Sequence, residues 1–289
     1  MKSGYKISMI TILCCVFATC GYAQAVYNSA ATADTTTKPA IDTSKKIVAH
    51  KVAVKPKVPK IKPISKELSF GARLNTNGWS GFVDYGKVKS DDAKHSDLFY
   101  NLRFVEFEVT EKKNPKEEKT NSENSTGSGG SSGTYIYGKI NNFYAIKLGY
   151  GFRKMIAGKP DPGTVSIHWV NTGGISIGLL KPYYLNAYTS NGEQQVKYTD
   201  TTKNVFLSQS DIVGKAGFGK GFNEITITPG IHFKSALHFD FSANRKTALA
   251  LETGFNVELY SKPVPIMANQ SNSSVFFDAF IALQFGKRW

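Results

Sequence analysis

The run Glu224 to Ser242, "EITITPGIHFKSALHFDFS", alternates without a break. Ile225, Ile227, Ile231, Phe233, Leu237, Phe239 and Phe241 fall on one face, with Glu224, Thr226, Thr228, His232, Lys234, His238 and Asp240 on the other. Period two predicts a β-strand. Its length exceeds the roughly 5–6 residues usual in soluble sheets and reaches the roughly 9–11 needed to cross a bilayer. The same pattern returns in "TALALETGFNVELY", "VFFDAFIALQF", "YAIKLGYGF" and "ELSFGARLN", each with one face suited to lipid and one to a wet or salt-bridged interior.

Eight strands are predicted, at 67–75, 78–87, 98–111, 142–154, 164–185, 222–242, 246–260 and 274–286. The fold class expected is all-β: a closed antiparallel transmembrane β-barrel of about 8 strands. Ten are reached if 134–141 or part of 186–221 also pairs. An even count puts both ends of the barrel chain on one side. The long connections 112–141, 186–221 and 261–273 then lie outside with the tight Asn77-Gly78 hairpin, and 88–97, 155–163 and 243–245 lie inside. Pro229, the pair Gly173-Gly174, and the change of apolar face near Phe104 each predict a bulge or bend. A secreted soluble sandwich is the alternative architecture.

The first 66 residues read differently. Residues 1–25 carry Lys2 and Lys6, an apolar run from Ile7 to Ala18, and small residues at Ala23 and Ala25, the three-part layout of a secretory signal peptide. A lipoprotein signal with Cys20 lipidated is the rival, with Phe17 and Thr19 as poor neighbours for it. Residues 26–66 hold nine Lys, with Asp34 and Asp42, and four prolines from Pro39 to Pro63. They predict a disordered, semi-rigid periplasmic linker that could touch anionic headgroups or cell-wall polymer, and through them another envelope protein. Residues 67–289 form the barrel domain.

Charge and cysteine narrow the picture. The formal net charge is +14, of which +7 belongs to the linker, +2 to the leader and +5 to the barrel. The basic pI is thus mostly a property of the linker, and export argues against a nucleic-acid partner. Cys14, Cys15 and Cys20 all lie in the leader, so the mature chain has no disulfide and no cysteine metal site. After the leader no apolar run reaches about 18 residues, and none predicts a membrane-spanning helix.

The polar strand faces place Arg73, Lys147, Arg153, Glu224, His232, Lys234, His238, Asp240, Glu252, Glu258 and Asp278 in the lumen. An eight-stranded barrel has an interior just wide enough for side chains. Near-balanced charges there predict a salt-bridged plug rather than a selective pore. Tyr183, Tyr184, Tyr188, Tyr260 and Trp289 are assigned to the membrane interface, with Lys181 reaching for headgroups. A ligand site at "GGISIGLLKPYYLNAY" is the sharper reading of that run.

Candidates for catalysis are thin. His168, His232 and His238 suggest metal or acid–base chemistry, but His232 and His238 lie about 20 Å apart along one strand, at roughly 3.3 Å per residue. His238 and Asp240 with Ser166 or Ser235 could form a hydrolytic group, yet no motif places the serine. No cofactor or metal is expected. "KPVPIMANQ" is unusually apolar for an outer loop and predicts packing over the barrel mouth or a partner contact. "EKKNPKEEKTNSENSTGSGGSSG" predicts a disordered outer loop, and its glycines lack the context of a phosphate-binding loop.

The segments "FYAIKLGYGFRKM", "GGISIGLLKPYYL", "ITITPGIHFKSALHFDF" and "FIALQFGKRW" resemble small outer-membrane barrel proteins of Bacteroidetes-type bacteria, loosely PorT-like, over about residues 67–289. The aromatic strand ending in Trp289 resembles the C-terminal signal that barrel-assembly machinery reads. The resemblance implies an eight-stranded-type barrel in the outer membrane and brings no catalytic residues; the loop lengths put the linker and C-terminus in the periplasm. The function expected is a structural or interaction role at the cell envelope. A narrow transport barrel and a barrel-type hydrolase or acyltransferase are the alternatives.

Overall fold

The computed structural model describes residues 64–89, 100–122, 133–158, 164–244 and 246–289. The leader and the linker up to residue 63 lie outside the described residues.

Eight long strands close into one antiparallel barrel. In chain order they are β1 (Lys66–Asn75), β2 (Gly78–Lys89), β3 (Asn101–Lys112), β6 (Asn141–Ala157), β7 (Ser166–Pro182), β11 (Thr226–Asp240), β12 (Thr247–Val264) and β13 (Ser273–Arg288). Each pairs with the next, and β1 pairs with β13 from Glu67–Arg288 to Asn75–Phe280. The backbone N–H groups of Ser65 and Lys66 both donate to the Trp289 carbonyl, which seals the seam at its lower end. Closure leaves no unpaired edge.

The other strands do not enlarge the barrel. β4 (Lys119–Asn121) pairs with β5 (Thr134–Ile136). β8 (Tyr184–Thr189) pairs with β9 (Gly192–Lys197) and β10 (Ile212–Lys215). A single helical turn, α1 (Lys203–Phe206), packs with them. The expected ten-strand alternative is therefore corrected: 134–136 and parts of 186–221 do pair, but in two small sheets outside the barrel ring. The acidic-basic loop is also not wholly irregular, since Lys119–Asn121 is a strand; its Gly/Ser-rich stretch at 123–132 lies outside the described residues.

Three expected bulges are absent. Pro229 stays in register with Ile177, and it lies one residue beyond the last β11–β12 pair, Gly230–Tyr260, where a missing donor interrupts least. Gly173 and Gly174 stay in register with both neighbouring strands. A Cβ on Gly174 would stand 2.1 Å from the Leu148 carbonyl oxygen, so glycine is there for close approach rather than for a bend. β3 pairs continuously on both sides, and its apparent change of face is chemical: Leu102 and Phe104 point inward below Glu106 and Glu108. Register shifts fall instead between Met155 and Ala157 and between Leu259 and Val264.

The barrel is inside out compared with a soluble fold. Leu74, Val83, Val109, Leu148, Ile175, Phe233, Leu259, Ile281 and Leu283 project from its outer wall, exposed. Phe70, Tyr85, Tyr150, Phe152, Trp169 and Phe285 form an aromatic band near the end that holds the barrel's two termini. Charged side chains fill the interior. This is the distribution of a barrel whose outer solvent is lipid.

Candidate functional site: the filled lumen and the outer cap

The alternation of each strand sets which residue enters the lumen, and the register sets its height. Among the described residues eight carboxylates lie buried inside: Glu67, Asp84, Glu106, Glu108, Asp240, Glu252, Glu258 and Asp278. Six cations join them: Arg73, Lys112, Lys147, Arg153, Lys234 and Arg288.

They stack in layers. In the lowest, Arg288 donates to Glu67 at 2.7 Å and Asp240 at 2.5 Å, and Arg153 donates to Glu67 at 2.8 Å. Tyr100 also donates to Asp240, at 2.9 Å, and Gln284 bridges Ser69 and Asp84. In the middle, Arg73 reaches Glu108 at 2.5 Å, Glu106 at 3.3 Å and Glu252 at 3.6 Å, while Lys234 pairs with Glu106 and Glu252. The Arg73 guanidinium lies 4.4 Å from the Phe82 ring centre and 4.6 Å from that of Phe280. Those two rings, with Leu102, Phe104, Val170, Ala236 and Ala282, form an apolar cluster within the lumen. Above it Lys147 bridges Glu108 and Glu258, and Lys112 bridges Glu258 and Asp278.

The mouth opposite the chain ends is closed by carbon. Phe143, Leu180 and Tyr260 point inward and meet Val264 at the end of β12 and Ile266 and Met267 from the connection that follows it. Main-chain bonds hold that connection down: Ile140 and Asn141 donate to the Ile266 carbonyl, and Ala268 donates to Gly138. The apolar "KPVPIMANQ" stretch thus packs over the mouth. Above it, Leu185, Ala187, Val196, Phe206 and Ile212 form the core of the cap, against Tyr135.

Ten of the eleven residues assigned to the lumen are placed there. Glu224 is not. It sits in a helical turn at Phe222–Glu224, outside the barrel, where it accepts from Tyr184 at 2.7 Å and pairs with Lys197. β11 begins only at Thr226, so the strand periodicity does not reach Glu224. The lumen residues that the sequence reading missed are Glu67, Asp84, Glu106, Glu108, Lys112 and Arg288. The signal was present for Glu106 and Glu108, which alternate with Val105, Phe107 and Val109. The inward apolar pair below them masked it.

The aromatic assignments need correction. Tyr260 is buried in the mouth, with its hydroxyl on Glu258 at 2.7 Å and its ring against Phe143. It alternates with Glu258 on the inner face of β12, so it cannot face lipid. Tyr183 packs against the cap core and Tyr184 hydrogen-bonds Glu224, because the chain leaves the barrel wall at Pro182. Tyr188 stands on β8 of the cap sheet. Trp289, directly after β13, is exposed as an interface residue would be.

The possible hydrolytic group is only partly assembled. Ser166, His168, His238 and Asp240 do gather at the lower end, where β7 and β11 pair His168 with His238 and Ser166 with Asp240. Among the described residues neither ring nitrogen of His168 has a hydrogen-bond partner, nor has His238 Nε2 or the Ser166 hydroxyl. His238 Nδ1 approaches Glu252 only to 3.4 Å. Asp240 is engaged by Arg288, Tyr100 and Ser242. Ser235 faces outward and accepts from Trp169 Nε1 at 3.0 Å. No serine–histidine–acid relay is formed. Among the described residues no cluster of three or more His, Cys, Asp or Glu has metal-binding geometry.

No family model matches the sequence, and no curated protein matches it. Solved structures of small barrels are similar in shape. Ail, the attachment invasion locus protein of Yersinia pestis, in complex with the heparin analogue sucrose octasulfate, is 10% identical with a TM-score of 0.37, over 78% of this chain and 99% of that one. Neisserial surface protein A is 8% identical with a TM-score of 0.33, over 78% and 95%. The N-terminal barrel domain of Pseudomonas aeruginosa OprF is 7% identical with a TM-score of 0.33, over 78% and 98%. The fold assignment rests on the hydrogen-bonded ring itself: the chain is a closed, eight-stranded, antiparallel β-barrel with an apolar outer wall and a charged, filled interior.

Proposed function

We propose that this protein is an outer-membrane barrel with a structural or interaction role at the cell envelope, and that its lumen does not conduct. One observation carries the reading: ion pairs occupy the interior layer by layer, and Val264, Ile266 and Met267 seal the outer mouth. Such a barrel acts through its surfaces. The folded cap is the surface offered outward. Both barrel ends of the chain lie at one rim, and the two longest connections, β3 to β6 and β7 to β11, lie at the other, which favours placing the rim of the chain ends in the periplasm. Bilayer lipid and the barrel-assembly machinery are the partners this placement requires. Kinship with PorT-like barrels rests on the four sequence segments alone. We read the protein as non-catalytic, since the group at Ser166, His168, His238 and Asp240 lacks the bonds a relay needs.

The test is made on the full chain expressed in a Gram-negative host. A heat-modifiable band in the outer-membrane fraction, with no single-channel steps in planar bilayers, is the expected result. Reproducible conductance from the folded protein would replace the plug with a transport reading. A soluble periplasmic protein without a mobility shift would overturn the membrane barrel.

A further inference from the structure

A cavity of about 430 Å³ opens where the barrel wall meets the cap. Its floor is barrel wall: Glu111 on β3 and Tyr144 on β6 line it, one outward step above Val109 and Ile146. Its sides come from the cap and from the end of β7, and they are basic. Lys113, Lys119, Lys181, Lys215 and Lys220 line it, with Glu111 as its carboxylate among the described residues. That carboxylate already accepts from Trp79 Nε1 at 2.6 Å. A sixth lysine, Lys139, is neutralised by Glu117 at 2.8 Å. The site therefore gathers five lysines around one carboxylate, a clear excess of positive charge.

We propose that this cavity holds the phosphate-bearing headgroup of a lipid in the surrounding leaflet, with the acyl chains lying along the apolar wall below. Phosphate follows from the charge: four exposed lysines of two different connections converge, and like charges gathered this way repel unless an anion sits between them. Lipid follows from the position. The cavity stands directly over the outward apolar row that includes Val109, Ile177 and Ile227. Beside it Phe218 and Phe222 are exposed, the former at 70%, with their rings 5.4 Å apart. Lys181, itself nearly buried, places its ammonium 4.2 Å and 4.4 Å from those two rings and donates to the Phe218 carbonyl. Aromatic rings beside cations at the edge of an apolar wall are the composition of a headgroup-level site. The volume suits a phosphorylated sugar and falls within the usual range of ligand cavities. This inference rests on the membrane-barrel reading above.

The test uses the purified full chain in detergent, with heat-modifiability confirming the barrel in each sample. Loss of that mobility shift in the unaltered protein would fail the barrel reading, separately from the lipid site. Binding is then followed by native mass spectrometry with three probes: diphosphorylated lipid A, the same lipid enzymatically dephosphorylated, and glucosamine 6-phosphate. The phosphorylated lipid should bind at least about tenfold more tightly than the dephosphorylated one, and Lys215→Gln with Lys220→Gln should remove about tenfold of its affinity. Equal binding of the two lipids, or an unaffected double variant, would overturn the site. Glucosamine 6-phosphate binding as tightly as the lipid would overturn the lipid assignment. Both lysines are exposed and make no ion pair among the described residues, and should the double variant lose its barrel band, Lys113→Gln with Lys119→Gln replaces it with the same expected loss.

Discussion

Arg153 on β6 and Glu67 on β1 meet inside the barrel, Nη1 to Oε1 at 2.8 Å, across 86 residues of sequence. Neither strand is a neighbour of the other in the sheet. The bond therefore spans the lumen, and Arg288 holds the other oxygen of Glu67 at 2.7 Å. Removing one partner of a buried pair strands the other charge. Arg153→Met should cost about 3–5 kcal/mol of barrel stability, read as a lower urea midpoint in micelles or vesicles. Pairing it with Glu67→Gln should cost less than the two single changes together. Strict additivity would mean the bond carries no coupling.

The lipid face should respond differently. Ile281 projects from the middle of β13 and is 49% exposed. Ile281→Arg should cost about 2–4 kcal/mol in vesicles, the penalty for a cation near the bilayer midplane. Lys262→Arg, beyond the regular β12–β13 register, should leave the midpoint unchanged. Similar tolerance at both positions would show that Ile281 does not meet lipid.

Gly174 tests how tightly the wall is built. It pairs with Gly149 on one side and His232 on the other, and a Cβ would collide with backbone at Leu148. Backbone cannot move aside as a flexible side chain does. Gly174→Val should lower stability by about 1–3 kcal/mol or more, or abolish the heat-modifiable band. Gly192, with open space around it, accepts a positive φ of 91° for the β8–β9 turn, so Gly192→Asn should be mild by comparison.

Acid should loosen the cap before the barrel. The hydrogen bond from Lys197, then that from Tyr184, holds the Glu224 carboxyl below its ordinary range. A group lowered on folding contributes stability above its unfolded value and loses it as pH falls through the folded one. Protease sensitivity of the cap should therefore rise only below the usual carboxylate range. Glu224→Gln should raise it at neutral pH and abolish that acid dependence. An unchanged profile in the variant would show that the turn is held by other contacts.

Much of this was legible because the wall separates two different surroundings. Val105, Phe107 and Val109 alternate with Glu106 and Glu108 for the same reason that Ile231 and Phe233 alternate with His232 and Lys234: one side meets lipid and the other a polar interior. The misreadings came where that reason lapses. Leu102 and Phe104 are apolar on the inner face because the lumen contains its own apolar layer. Glu224 and Tyr184 follow strand-like spacing in segments where the chain has already left the wall.

The sequence by itself determined the eight strands, their approximate ends and, for most of them, which face is polar, because alternation is a local property that one solvent boundary imposes on every strand. It could not determine the partners. Arg73 with Glu108, Arg153 with Glu67 and Lys147 with Glu258 depend on closure and register, which bring side chains from distant strands to one height. The cap and its lysine-lined cavity were likewise decided only in three dimensions. Its four exposed lysines come from two connections that share no sequence pattern and meet only because the barrel holds the ends of β3, β6 and β7 side by side.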